Sequence, residues 1–146
     1  MNNYMTLKFK SVSENEALAR MAVSAFVGPL NPSLEELADI KTSISEAVSN
    51  CVIHGYEDSN GTVEITAIIE GDEISIRITD DGRGIPDVEK AREPLFTTKP
   101  ELERSGMGFT IMESFMDSID VISSVHNGTT VIMSKTIKAK ANECPV

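Results

Sequence analysis

Glu46, Asn50 and His54 recur at intervals of four within SEAVSNCVIHGYED (45–58). At about 100° per residue they fall together on one flank of a helix. A carboxylate there can take a proton from an attacking hydroxyl, a role worth about 10²–10⁴-fold in rate. A carboxamide oxygen one turn on can hold Mg²⁺, and Mg²⁺ bridges phosphates. The same spacing also fits a solvated polar face, so the helix alone decides nothing. Two further stretches add chemistry. ITDDGRGIP places Asp80 at the end of an alternating run, with Gly82 and Gly84 just beyond. A carboxylate there can accept a hydrogen bond from an exocyclic amine such as that of adenine, and glycines let backbone approach a ligand. RSGMGF places Gly106 and Gly108 at a predicted helix start, beside Arg104 and a little beyond Lys99. Free N–H groups at such a start suit phosphate. Alone, the first stretch reads as an Asp–Gly turn and the second as a glycine-rich helix start. Together the three supply the parts for ATP-dependent phosphoryl transfer. Neither GxxxxGK[ST] nor a GxGxxG following a strand is present, so the phosphate site is neither a P-loop nor a dinucleotide fingerprint.

The elements that must position these residues follow from periodicity. MTLKFK alternates and reads as a strand. Ser13 with Glu16, and Ser33 with Glu36, make capping-box patterns opening two helices, the first running to about Phe26 and the second to about Gly55. On the second helix Ile44, Ala47, Val48, Cys51 and Val52 form a core stripe, so Cys51 reads as a small core residue. TVEITAII and EISIRIT alternate around EGD and form a hairpin. The Gly-, Pro- and charge-rich stretch that follows is long for a connection and reads as a lid over about 87–105. GFTIMESFMDSI reads as a helix with Phe109, Met112, Phe115 and Met116 on one side. DVISSV and TTVIMSKTI form a last hairpin around Asn127–Gly128, and the tail from about residue 138 is expected to fray. The order β-α-α-β-β-loop-α-β-β predicts one α/β domain, a two-layer sandwich of a mixed, mainly antiparallel sheet with helices on one face.

The bulk properties narrow the functions. The 146 residues suit a single domain, and the net charge of −10 disfavours direct binding to nucleic acid or to an anionic membrane. Cys51 and Cys144 fit neither a zinc motif nor a disulfide framework. With no signal-peptide pattern and no long apolar run, a cytoplasmic location is expected.

E46xxxN50, D80DGRG84, G106MG108 and G128TT130 resemble, in order and spacing, the nucleotide-binding boxes of the GHKL ATPase and kinase superfamily. HGY after the first box and PLFTTKPELERSGMGFTIMESFMD are similar to its anti-sigma factor serine kinases, above all the sporulation ones. The resemblance spans nearly the whole chain. It implies a Bergerat ATP-binding fold, a homodimer, and ATP or ADP with Mg²⁺ as cofactors. It implies capture of a sporulation sigma factor of the sigma F type and phosphorylation of a serine on an anti-anti-sigma partner of the SpoIIAA type. Residue by residue, Glu46 is the general base and Asn50 the Mg²⁺ ligand. Asp80 reads the adenine amine, and Gly82 and Gly84 shape its pocket. Thr97, Lys99, Arg104, Ser105, Gly106, Met107, Gly108 and Phe109 form lid and phosphate cradle. Thr130 holds the adenine-bound water network, His54 closes the helix as a structural residue, and Arg20 is a partner contact or an ordinary exposed arginine. Other readings are a histidine kinase catalytic domain, an anti-sigma kinase of a stress-response sigma factor, and a nucleotide-gated binding module. His54 and His126 are the only histidines, and neither is placed as a phosphoacceptor on a dimerisation helix. A base at Glu46 is more than a binding module requires. A motor of the superfamily would need further domains.

Overall fold

The computed structural model describes residues 1–55, 61–82, 88, 92, 108–123 and 128–138, with His54 and Gly55 as backbone only. The chain runs β1 (Asn2–Lys10), α1 (Asn15–Val27), a 3₁₀ turn (Gly28–Leu30), α2 (Leu34–Asn50), a π turn (Cys51–Gly55), β2 (Thr62–Glu70), β3 (Glu73–Asp80), α3 (Gly108–Phe115), β4 (Ser118–Ser123) and β5 (Thr129–Thr136). The strands form one sheet in the order β1-β2-β3-β5-β4, and every pairing is antiparallel. A mixed sheet was expected. Here β5 inserts between β3 and β4 and meets both antiparallel, so none of the described pairings is parallel.

Strict alternation divides the sheet into two faces. Val63, Ile65, Ala67 and Ile69 of β2 and Ile74, Ile76 and Ile78 of β3 are fully buried. At about 1.5–3 kcal/mol for each large side chain taken from water, this isoleucine-rich face is the main stabilising surface. Helices cover it with Ala19, Val23 and Val27 of α1, Ile40, Ile44, Ala47 and Val48 of α2, and Phe109 and Met112 of α3. The opposite face carries Lys8, Thr66, Arg77, Thr79 and Thr130. The two-layer arrangement with helices on one face therefore holds.

Local chemistry sets the element ends. At α2 the Ser33 hydroxyl accepts from the Glu36 N–H, and the Glu36 carboxylate accepts from the Ser33 N–H, both at 3.0 Å, the expected capping box. The expected box at α1 does not form. Glu14 is the N-cap there, and the Glu16 N–H donates instead to the Ser13 carbonyl, 3.1 Å. The approach to α1 is already fixed by Ser11, which exchanges hydrogen bonds with Gly61 just before β2, and by the Asn15 side chain on the Lys10 carbonyl. The β2–β3 hairpin turns through Gly71 at φ +62°, the left-handed value that the first residue of a type II′ turn requires. α3 stops at Phe115, short of the predicted end, where the Lys135 ammonium donates to the Phe115 carbonyl at 2.8 Å. A cation suits that end of the helix dipole. The same ammonium lies 3.7 Å from Asp39 on α2, so one side chain joins β5 to two helices.

Candidate functional site

The polar flank of α2 converges on the start of α3. Glu46 and Asn50 are half-buried on α2, and Gly108 is the first residue of α3. A methyl group on Gly108 would stand 3.2 Å from Glu46 Oε2, 3.2 Å from Asn50 Nδ2 and 3.4 Å from Asn50 Oδ1. Glycine therefore lets a helix N-terminus sit directly on a carboxylate and a carboxamide held one turn apart. The core stripe of α2 explains the placement. Ile40, Ile44, Ala47 and Val48 are buried, which leaves Glu46 and Asn50 on the flank that α3 approaches.

Asp80 ends β3 on the covered face and is 4% exposed, a rare position for a carboxylate. Its Oδ1 accepts from the Gly82 N–H at 2.9 Å. The Cys51 thiol and the Thr129 backbone N–H bear on its titration as donors. Burial raises the Asp80 pKa above the ordinary aspartate range; these three donors oppose that rise, and the Asp81 charge adds to it. The Cys51 thiol is pushed well above its usual range, first by burial, then by the Asp80 charge and by its part as a donor to that carboxylate. Gly128, at φ +73°, presses on this corner, since a Cβ there would lie 2.1 Å from the Asp80 carbonyl oxygen.

Glu46, Asn50, Gly108 and Phe109 come together, with Phe109 buried at the start of α3. Asp80 and Gly82 form a second polar corner, and the Asp80 charge bears on Cys51 at the end of α2. Thr130 stands elsewhere. It pairs with Thr79, their hydroxyls 3.2 Å apart, on the face opposite Asp80. The residue across from Asp80 is Thr129, whose hydroxyl lies 2.8 Å from that of Ser123. Counting back in twos from buried Met133 and Val131 reaches Thr129, so the alternation carried that signal. Cys51 is buried, as the apolar stripe predicts, and the stripe gives no sign of the Asp80 charge that bears on its thiol. Arg20 is half-buried and donates from Nη1 to Ser45 on α2 at 3.0 Å, so it is not simply an exposed arginine. Gly84, Thr97, Lys99, Arg104, Ser105, Gly106 and Met107 lie outside the described residues, as does the side chain of His54. Of the stretch expected to form a lid, Val88 and Arg92 are described, and Arg92 donates to Glu113 of α3 at 2.7 Å. Among the described residues no helix is long and apolar enough to cross a membrane.

The residues fit magnesium and a nucleotide. An amide oxygen and a carboxylate meet at a cradle that a Cβ would fill, and a buried carboxylate faces the same helix layer. Comparison with known proteins gives the family. Residues 9–135 match the histidine kinase-like ATPase domain. The chain is 58% identical over 143 residues to the anti-sigma F factor of Geobacillus kaustophilus, covering 97% of this chain and 98% of that one. It is 59% identical over 136 residues to the anti-sigma F factor of Clostridium perfringens strain SM101, covering 92% and 97%. Among solved structures, the RsbU and RsbW domains of a Mycobacterium tuberculosis protein superpose with a TM-score of 0.69 at 18% identity, covering 95% of this chain and 34% of that one. The histidine kinase domain of a blue-light activated kinase from Erythrobacter litoralis superposes with a TM-score of 0.57 at 16% identity, covering 88% and 66%. These two bear on the fold alone. With the family match spanning most of the sequence and its relatives aligned nearly end to end, the chain belongs to the anti-sigma F factors, built on the histidine kinase-like ATPase domain.

Proposed function

We propose that this protein is an ATP-dependent protein serine kinase that also sequesters a sporulation sigma factor of the sigma F type. Its phosphoryl acceptor is a serine on an anti-anti-sigma partner, and it works as a homodimer in the cytoplasm. The carrying observation is the meeting of Glu46 and Asn50 at the first residue of α3. Glu46 accepts the proton of the attacking serine hydroxyl. Asn50 Oδ1 ligates Mg²⁺, and the metal when bound neutralises charge on the phosphates. The N-terminus of α3 presents N–H groups to the phosphate chain, and glycine at 108 spares Glu46 and Asn50 the 3.2 Å contacts that a Cβ would make. Asp80 accepts the adenine amine, and Gly82 keeps the adjoining backbone near the base. Gly84, Thr97, Lys99, Arg104, Ser105, Gly106 and Met107 complete the pocket and cradle in this reading. Arg20, braced on Ser45, belongs to the face that meets protein partners.

The test is phosphoryl transfer from γ-labelled ATP with Mg²⁺ to the host's small anti-anti-sigma proteins, beside a Glu46→Ala control. Acid-stable serine label on one of them, reduced about 10²–10⁴-fold in the control while ATP still binds, is the expected result. Full-rate transfer by Glu46→Ala would remove Glu46 as the base. Acid-labile label on the chain's own histidine would mean a histidine kinase, and bound ATP without transfer a nucleotide-gated binding protein.

A further inference from the structure

Alternation along β5 places Lys135 on the covered, apolar face of the sheet. It follows buried Met133, precedes buried Ile137 and pairs across with fully buried Ile74. Its side chain is 12% exposed. A cation there gives up most of its hydration, and apolar residues in place of such a charge pair often serve stability as well or better. The Lys135 ammonium is committed to two groups. It donates to the Phe115 carbonyl at the end of α3, 2.8 Å, and lies 3.7 Å from Asp39 Oδ2 on α2.

These contacts sit at the far end of the helix pair that builds the site. The start of α3, Gly108, meets Glu46 and Asn50; its end, Phe115, meets Lys135 and through it Asp39. The two helices therefore run antiparallel. Asp39, Ser43, Glu46 and Asn50 follow at i, i+4, i+7 and i+11, one row along α2. Ser43 stands midway in that row, fully buried, and its hydroxyl has no hydrogen-bond partner. Ala47 of α2 and Met112 of α3 belong to the apolar core, and apolar contact is non-directional. It presses α3 inward without choosing where along α2 the helix sits. Arg92 also reaches Glu113 of α3, from a partly exposed position where an ion pair is weak. The hydrogen bond from Lys135 does choose. The eight residues of α3 span about 12 Å as one hydrogen-bonded rod, so a shift at Phe115 reappears at Gly108.

We propose that Lys135 is a positioning residue for the phosphate end of the nucleotide: by holding the last carbonyl of α3 beside Asp39 of α2, it sets where the first residue of α3 stands against Glu46 and Asn50. The inference rests on the phosphate-binding role proposed for the N-terminus of α3. Lys135 itself touches no nucleotide and acts from the opposite end of the helix.

Lys135→Met, Lys135→Arg, Asp39→Asn and the paired replacement of Lys135→Met with Asp39→Leu are each compared with the parent protein. Titrations with ADP and Mg²⁺ and with adenosine are set beside melting curves. Adenosine carries no phosphate, so the ratio of the two affinities reads the phosphate end alone. Lys135→Met and the paired replacement should lower that ratio about tenfold, the worth of one hydrogen bond from a charged donor. Lys135→Arg, which keeps the cation and its reach, should restore most of it, and Asp39→Asn should lower it by a smaller factor. The paired replacement leaves neither charge alone, so it should melt near the parent temperature while the ratio still falls. A ratio at the parent value in whichever of the Met, Asn and paired variants fold, however their melting temperatures move, would show that Lys135 only supports the fold and would overturn the proposal. A ratio that Lys135→Arg does not recover would overturn it too. If ADP binds the parent protein no more tightly than adenosine, the phosphate role of α3 falls, and this proposal with it.

Discussion

Asp80, the acceptor of the adenine amine in the proposed function, is buried, and its surroundings pull in opposite directions. Burial raises its pKa, and three donors restrain the rise. Because the pKa in the fold exceeds the unfolded value, the carboxyl penalises the fold where the unfolded chain is ionised. That penalty is complete above the raised pKa and absent below the ordinary aspartate range. Asp80→Asn should therefore raise the melting temperature of the nucleotide-free protein at pH 7, and the gain should shrink as the pH falls through the Asp80 pKa. Scanning calorimetry across pH checks this, and a pH-independent change would contradict it. The same variant should lose preference for adenine over guanine nucleotides, read by competition binding. Asn50→Ala makes a different prediction: nucleotide affinity should lose its dependence on Mg²⁺, as titration with and without the metal would show. Glu46 and Asn50 were legible in the sequence because their spacing of four sets them off from a clear apolar stripe. The Asp80 charge that bears on Cys51 was not, since a thiol fits a core equally well.

Among the elements, the two glycines at the site make opposite predictions. Alanine at 108 is a better helix former by about 1 kcal/mol, so Gly108→Ala should leave the fold intact or firmer. Its methyl group would meet Glu46 and Asn50 at 3.2 Å and displace them, and transfer should fall about 10–100-fold. Labelled-phosphate transfer set beside a melting curve separates the two effects. Gly128→Ala should damage the fold itself. The left-handed backbone there costs a residue with a Cβ about 1–2 kcal/mol, before the 2.1 Å approach to the Asp80 carbonyl is relieved. Urea unfolding of the nucleotide-free protein would read that loss. The elements were largely legible because alternation in β2 and β3 and the stripe on α2 are unbroken. The errors fell where tertiary contact overrides a local pattern. Glu16 meets the Ser13 carbonyl because Ser11 and Asn15 already fix that approach, and α3 ends early where Lys135 caps it.

On the scale of the molecule, one sheet face buries a continuous apolar layer and the other is largely polar. The net charge of −10 argues against a nucleic-acid partner and suits a protein partner with a basic docking face. Fold class was readable from the order of hairpins and helices. The insertion of β5 between β3 and β4 was not, because the order of strands along a sheet is set by which edges find partners rather than by any local run of residues.

α2 carries the core stripe on one side and Glu46 and Asn50 on the other. A reactive group on a detachable loop can wander off while the rest of a protein stays whole. A group on this helix has no such freedom, because whatever displaces it also pulls Ile40, Ile44 and Val48 out of the centre of the molecule. The working lifetime of the site is then the lifetime of the fold, and heat should extinguish Mg²⁺-dependent nucleotide binding and melt the helices along a single curve.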